Sequence, residues 1–151
     1  MKSSKKILII SASFGGGHKA PAEALYEQIV LQRGSGTGVL VIDIHDFAPR
    51  AMARVLESWY TRALYSARWQ YNIFFALSLL RAWRRLEEWF IDRWLYNKLA
   101  AYLAREQPAE IISFYFYSLP VRVAKKYAPR ARITVVVTDP YSPAPAWFDC
   151  P

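Results

Sequence analysis

The sequence predicts an α/β fold, with a Rossmann-like parallel sheet and flanking helices. Three observations support this prediction: short, wholly apolar segments of strand length, helical spacing of apolar residues between them, and a glycine turn directly after the first segment. Parallel strands buried on both faces are near-continuous apolar runs, and their alternation with helices is typical of a doubly wound sheet. The length of 151 residues fits a single domain with one core.

The first third of the chain has the pattern of a βαβ unit. Residues 7–10 are all apolar and predict a buried strand. Apolar side chains recur at helical spacing over residues 18–33, and Gly34 supplies a stop signal. Residues 39–42 predict a second buried strand, with Asp43 at its carboxyl end.

The remainder of the chain continues the alternation. Residues 52–103 contain no proline or glycine and predict two or more long helices. A strand over residues 110–116, a helix over 120–127 and a strand over 133–137 complete the sheet. The closing residues 138–151 contain four prolines and no further element, which is typical of an active-site loop, and we expect the chain to be cut short there.

Charge and apolar content narrow the class of protein. The 20 Lys and Arg residues exceed the 12 Asp and Glu residues, and the net charge of +8 attracts phosphates of nucleic acid, anionic lipid or nucleotides without choosing between them. The longest apolar run, residues 73–80, is far shorter than the ~20 residues of a membrane span. The single Cys150 and the lack of a secretory signal in residues 1–6 indicate a cytoplasmic protein whose membrane contact is peripheral.

A glycine turn follows the first predicted strand and consists of Gly15, Gly16 and Gly17. In open parallel sheets this turn commonly binds anions, because glycine lets backbone N–H groups approach a phosphate closely. The segment lacks the Gly-Lys-Ser/Thr ending of a P-loop, and Ala20 replaces the last glycine of the dinucleotide fingerprint. The alternative is a tight turn without a ligand.

His18 and Asp139 are the candidate catalytic residues. His18 stands at the start of the first helix, where the positive end of the helix dipole favours neutral imidazole, which can accept a proton from a hydroxyl. Asp139 follows the last strand at the same sheet edge, so it either orients His18 or is itself the base. The alternatives are a helix cap for His18 and an Asx turn before Pro140 for Asp139.

The helical middle of the chain is rich in aromatic and arginine residues, with five of the six tryptophans between residues 59 and 94. Such a composition suits the headgroup region of an anionic bilayer, although the same aromatics equally suit packing against the sheet. Nucleic-acid binding is disfavoured, because proteins that bind single-stranded nucleic acid usually carry their aromatic residues on an open sheet or in a groove. In this chain the aromatic residues lie in a predicted helical region. The predicted acceptor or membrane contacts are Trp59, Tyr60, Trp69, Tyr71, Phe74, Phe75, Arg81, Trp83, Arg84, Arg85, Trp147 and Phe148.

The sequence resembles the monogalactosyldiacylglycerol synthases and the bacterial processive diacylglycerol glucosyltransferases over essentially the whole chain. The likeness rests on the segment 11–20 with its three glycines and histidine, on Asp43, and on residues 136–139 followed by Trp147 and Phe148. Many relatives carry a histidine and a proline where this chain has Tyr115 and Phe116, and another histidine where it has Ala144. These departures put the acceptor contacts and the sugar in question.

The resemblance implies the N-terminal, acceptor-binding half of a two-domain GT-B glycosyltransferase, spanning residues 1–151, with the C-terminal donor-binding domain absent from this chain. It implies transfer of a hexose from a UDP-sugar to diacylglycerol without a metal or other cofactor, on the inner face of the cell membrane. His18 falls on the catalytic histidine of the family, Asp139 on its acidic partner, and the three glycines on the loop beside the donor phosphates. Transfer to another membrane lipid and a non-catalytic membrane-binding module are the alternatives.

Overall fold

The computed structural model describes residues 6–13, 17–34, 38–138 and Trp147. Its sheet has four parallel strands in the order β2-β1-β3-β4. The strands are β1 (Ile7–Ser11), β2 (Val39–Asp43), β3 (Glu110–Ser113) and β4 (Arg132–Val135). The predicted Rossmann-like α/β architecture is therefore confirmed.

Five α-helices and one 3₁₀ helix are present among the described residues. The α-helices are α1 (Lys19–Arg33), α2 (Arg50–Tyr65), α3 (Arg68–Ser78), α4 (Arg81–Glu106) and α5 (Leu119–Tyr127). The 3₁₀ helix, Ile44–Phe47, directly follows β2 and was not predicted. No helix in the described part of the chain is both long enough and apolar enough to cross a membrane.

Three details of the predicted strands are wrong, and the smallest is that the fourth strand ends at Val135 and not at residue 137. The second strand was expected to be buried, but Leu40 and Val41 are 36% and 39% exposed, because β2 is an edge strand with a neighbour on one side only. The third strand ends at Ser113 instead of residue 116, and the apolar run continues as a loop. Apolar character alone did not distinguish that loop from a strand, because its aromatic side chains are also largely buried.

Helices cover both faces of the sheet. Leu8, Ile10 and Ile111 face a core that also contains side chains of α4, α5 and the 3₁₀ helix. Ile7 and Ile9 face the opposite way and pack with Ala22 of α1. The alternation follows from the two-residue period of a strand, and burial on both faces explains why β1 is wholly apolar.

The strand order creates a crevice at one edge of the sheet. From β1 the chain moves to β2 on one side, whereas from β3 it moves to β4 on the other. Ligands of open parallel sheets bind outside the carboxyl ends of the strands at such a reversal. The segments that follow β1 and β3 therefore meet where a site is expected.

Candidate functional site

His18 lies at the crevice between β1 and β3. It occupies the N-cap position of α1, but its side chain makes no capping hydrogen bond. Its ring instead stacks on Phe116 of the loop after β3, with ring centroids 5.9 Å apart and an interplanar angle of 25°. Trp147 packs against the same imidazole with a centroid distance of 5.8 Å. The side chain thus contributes to the site and does not cap the helix.

The segment after β4 reaches the same imidazole. Nδ1 of His18 lies 2.8 Å from Oγ1 of Thr138, at hydrogen-bonding distance. Thr138 immediately precedes Asp139, which lies outside the described residues, so the pairing of Asp139 with His18 stays a prediction. Trp147 is 3% exposed and lies against His18, while Phe148 also lies outside the described residues.

A largely apolar cavity of about 230 Å³ opens beside His18. Ala12, His18, His45 and the aromatic run Tyr115, Phe116 and Tyr117 form its wall at the sheet edge. The helices supply the rest of the wall through Ala48, Met52, Leu56, Trp59, Tyr60, Phe74, Glu87, Phe90, Ile91 and Leu95. An imidazole in the wall of a largely apolar cavity suits a ligand with a polar group attached to hydrocarbon.

The glycine turn is only partly described. Gly15 and Gly16 lie outside the described residues, whereas Gly17 directly precedes His18. A Cβ atom built on Gly17 meets no atom of the described, non-adjacent residues within 4 Å, so the space between this backbone and those residues is open. The predicted binding of phosphate by these three glycines is untested.

Comparison with known proteins identifies the family. A family model described as monogalactosyldiacylglycerol (MGDG) synthase matches residues 18–150. The chain belongs to this family. No curated protein and no solved structure matches it. Membership makes this chain a domain of a glycolipid glycosyltransferase and confirms the resemblance seen in the sequence.

A second histidine of this MGDG synthase family domain lines the cavity with a carboxylate partner. Oδ1 of Asp43 accepts hydrogen bonds from the backbone N–H of His45 at 2.8 Å and from its Nδ1 at 3.0 Å. Burial acts to raise the pKa of Asp43, but hydrogen bonds from His45 and Ser13 outweigh it, and the pKa is lowered. An ionised Asp43 holds the proton of His45 on Nδ1 and thereby sets the tautomer of that ring.

Glu87 is the acidic residue of the cavity wall. Its Oε1 accepts a hydrogen bond from the indole N–H of Trp83, and its Oε2 accepts one from the hydroxyl of Tyr117 at 3.3 Å. Burial raises the pKa of the Glu87 carboxyl, and burial also raises the pKa of the Tyr115 and Tyr117 hydroxyls. The two tyrosines are consequently neutral hydrogen-bonding groups.

The predicted acceptor or membrane contacts fall into two sets. Trp59, Tyr60 and Phe74 line the cavity, and Trp83 contacts Glu87. Trp69, Arg81 and Arg85 are exposed, whereas Tyr71 and Phe75 stack on each other and are half-buried. Arg84 belongs to neither set. It is buried, and its guanidinium donates to the carbonyls of Ser78 and Leu79 at the end of α3, so its charge is used inside the fold.

The sequence reasoning missed His45, Glu87 and Thr138 as site residues. The Asp43–His45 spacing was a signal, since a carboxylate at a strand end followed two residues later by a histidine suits an Asx-type contact. Glu87 had no comparable signal, because its place in the cavity depends on how α4 packs. Within the described residues, no group of three His, Cys, Asp or Glu side chains is arranged to hold a metal ion.

Proposed function

We propose that this chain is the acceptor-binding half of a membrane-associated enzyme that transfers a hexose from a UDP-sugar to diacylglycerol. One observation carries the proposal: His18, in a family of glycolipid glycosyltransferases, lines a largely apolar cavity at the carboxyl edge of the sheet. A diacylglycerol matches this arrangement, because it carries one free hydroxyl group for the imidazole and two hydrocarbon chains for the apolar wall.

The size of the cavity suits the polar end of such a lipid. Pockets that bury a whole drug-sized ligand measure roughly 300–1,000 Å³. A cavity of about 230 Å³ therefore takes the glycerol and the first part of the acyl chains, and the rest of each chain extends between the helices or into the bilayer. Aromatic and aliphatic side chains from α2, α3 and α4 supply the apolar contact.

His18 is the proposed base. The acceptor hydroxyl attacks the anomeric carbon, the bond from that carbon to the UDP oxygen breaks, and UDP leaves with the electron pair. The hydroxyl proton passes to the imidazole of His18, which Thr138 contacts at Nδ1. Asp139 follows Thr138 directly and is the proposed carboxylate partner of the imidazole.

The donor is proposed to bind across two domains. Gly15, Gly16 and Gly17 follow β1, and backbone N–H groups of such a turn suit the diphosphate of a UDP-sugar. The open space beside Gly17 agrees with close approach of a ligand. A C-terminal domain outside this chain would hold the uridine, and the reaction would use no metal or other cofactor.

The surface of α2, α3 and α4 is proposed to rest on an anionic bilayer at the inner face of the cell membrane. Large apolar side chains are exposed there, among them Tyr65 at 79%, Trp69 at 63% and Trp89 at 62%. Exposed arginines accompany them, including Arg81 and Arg85. Extended apolar exposure marks an interaction surface, and each basic residue at an anionic membrane contributes about 1 kcal/mol.

A transfer assay tests the proposed function. The chain is joined to the donor domain of a family member, and hexose transfer from UDP-sugars to diacylglycerol is measured beside transfer to other membrane lipids. His18→Ala should lower kcat by at least about a hundredfold, because a positioned base contributes roughly 10²–10⁴. The matched control is Lys19→Ala, the exposed neighbour of His18.

Three outcomes separate the candidate functions. Transfer to diacylglycerol that depends on His18 supports the proposal. Preferential transfer to another lipid supports the alternative acceptor class. Membrane binding without any transfer supports a non-catalytic module, for which the exposed aromatic surface is the supporting observation.

A further inference from the structure

Glu87 places a carboxyl group in a mainly apolar wall. The described residues that line the cavity include two histidines and three tyrosines. Glu87 is the one residue among them that carries a carboxyl group. Both of its oxygens are held: Oε1 by the indole N–H of Trp83 and Oε2 by the hydroxyl of Tyr117. Two donors from different parts of the fold thus fix a carboxyl group at the cavity surface.

The carboxyl group is linked to His18 through the aromatic run that follows β3. Tyr117 belongs to the aromatic run after β3, and its ring centroid lies 4.2 Å from that of Phe116. Phe116 in turn stacks on His18. The wall that positions the imidazole therefore also positions Glu87, and both side chains line the same cavity.

The surroundings of Glu87 raise the pKa of its carboxyl above the ordinary value of 4.5, and burial is the largest cause. The two hydrogen bonds to its oxygens and the nearby positive charge of Arg84 act in the opposite direction and limit that rise. Arg84 directs its guanidinium to the carbonyls of Ser78 and Leu79. Because the other wall residues are mainly apolar, solvent screens a charge in the cavity less than a charge outside it.

We propose that Glu87 makes the cavity selective for neutral, hydroxyl-bearing lipids over lipids with a phosphate headgroup. This inference rests on the proposed function, in which the cavity holds the lipid acceptor. The exposed arginines of the proposed membrane surface attract anionic lipids to the entrance, so a lipid with a phosphate would otherwise compete for the cavity. In its ionised form, Glu87 repels the phosphate and accepts a hydrogen bond from a glycerol hydroxyl.

The test measures lipid selectivity by displacement. A fluorescent short-chain diacylglycerol is bound to the 151-residue chain and displaced with dioctanoylglycerol or dioctanoyl phosphatidic acid, both below their micelle concentrations. Displacement counts only lipid that enters the cavity and ignores phosphatidic acid held by exposed arginines. We expect the wild type to prefer the neutral lipid by about tenfold, the effect of one like-charge repulsion at short range.

Two neighbouring glutamates provide the variant and its control. Glu87→Gln retains the size of the side chain and should bring the affinity ratio to about one, mainly by strengthening the binding of phosphatidic acid. Glu88→Gln removes the adjacent carboxylate, which accepts a hydrogen bond from Ser118 and does not line the cavity, and should keep the wild-type ratio. If circular dichroism shows that Glu87→Gln is unfolded, Glu87→Met serves as a second neutral variant with the same expected ratio.

Several results would overturn the inference. They are a wild type that binds both lipids equally, a wild type that does not bind the fluorescent lipid, or a neutral variant at position 87 that keeps the wild-type ratio. The transferase proposal fails on a different result, namely selective lipid binding without hexose transfer in the assay above. The two failures are therefore distinguishable.

Discussion

Nδ1 of His18 and Oγ1 of Thr138 lie 2.8 Å apart, although 120 positions separate the two residues along the chain. The contact joins the start of α1 to the segment after β4, two places that share only the carboxyl edge of the sheet. It also brings the chain immediately before Asp139 to the proposed base. The hydroxyl of Thr138 is thus the described group best placed to orient the imidazole.

Removing that hydroxyl should impair the proposed reaction while leaving lipid binding largely intact. We expect Thr138→Val, which has a similar shape but no hydrogen bond, to lower kcat for hexose transfer about tenfold with little change in KM. Thr138→Ser retains the hydroxyl and should stay close to the wild type. Steady-state kinetics of the chain joined to a donor domain measure both constants, and an unchanged kcat in Thr138→Val would exclude the orienting role.

Asp43 should stabilise the fold in a pH-dependent manner. Its pKa is lowered below the ordinary value of 3.8 in the folded chain, so its contribution is fully present above that value. The contribution is lost as the pH falls through the lower, folded pKa. We expect Asp43→Asn to reduce the free energy of unfolding by about 1 kcal/mol at pH 7, and the difference from the wild type to shrink below about pH 3.8.

Urea denaturation at several pH values measures this difference. Asp46→Asn changes an exposed carboxylate in the adjoining 3₁₀ helix and serves as the control, with little expected effect. A destabilisation of Asp43→Asn that stays constant from pH 7 to pH 3 would show that the hydrogen bonds to His45 do not depend on the charge of Asp43.

The ion pair between Asp92 and Arg122 should stabilise the packing of α4 against α5. The guanidinium binds both carboxylate oxygens, at 2.8 and 2.7 Å, and its Nε also donates to Ser118. Because the side chains are 28% and 30% exposed, we expect a coupling of only about 1 kcal/mol despite the bidentate geometry. A double-mutant cycle with Asp92→Asn and Arg122→Gln measures it by urea denaturation, and a coupling of zero would contradict the prediction.

The exposed tryptophans should contribute to membrane binding. Trp69→Ala and Trp89→Ala should each weaken sedimentation with phosphatidylglycerol vesicles by several-fold, since indole rings favour the headgroup region. Leu31→Ala is the matched control, because Leu31 is 76% exposed but lies on α1, across the sheet from α4. Equal losses in all three variants would show that this surface has no special role.

The local pattern of apolar residues and glycines along the sequence was sufficient to predict most of the strands and helices. β1 is apolar throughout because it is buried on both faces, and the positive φ of 83° at Gly34 agrees with its role as the helix stop. The extent of β3 was overestimated, because the buried aromatic loop after Ser113 has the same apolar character as a strand. The exposure of β2 was not foreseeable, since an apolar run does not reveal which strand has a neighbour on one side only.

The sequence by itself determined the alternation of strands and helices, the glycine turn with His18 beside it, and the family likeness, because these depend on the order of residues along the chain. Only the tertiary structure decided that Thr138 and Phe116 contact His18, and that Glu87 lines the cavity while Arg84 is buried. Such contacts join side chains from separate elements. Their formation depends on how the helices pack over the sheet, and no local periodicity encodes that packing.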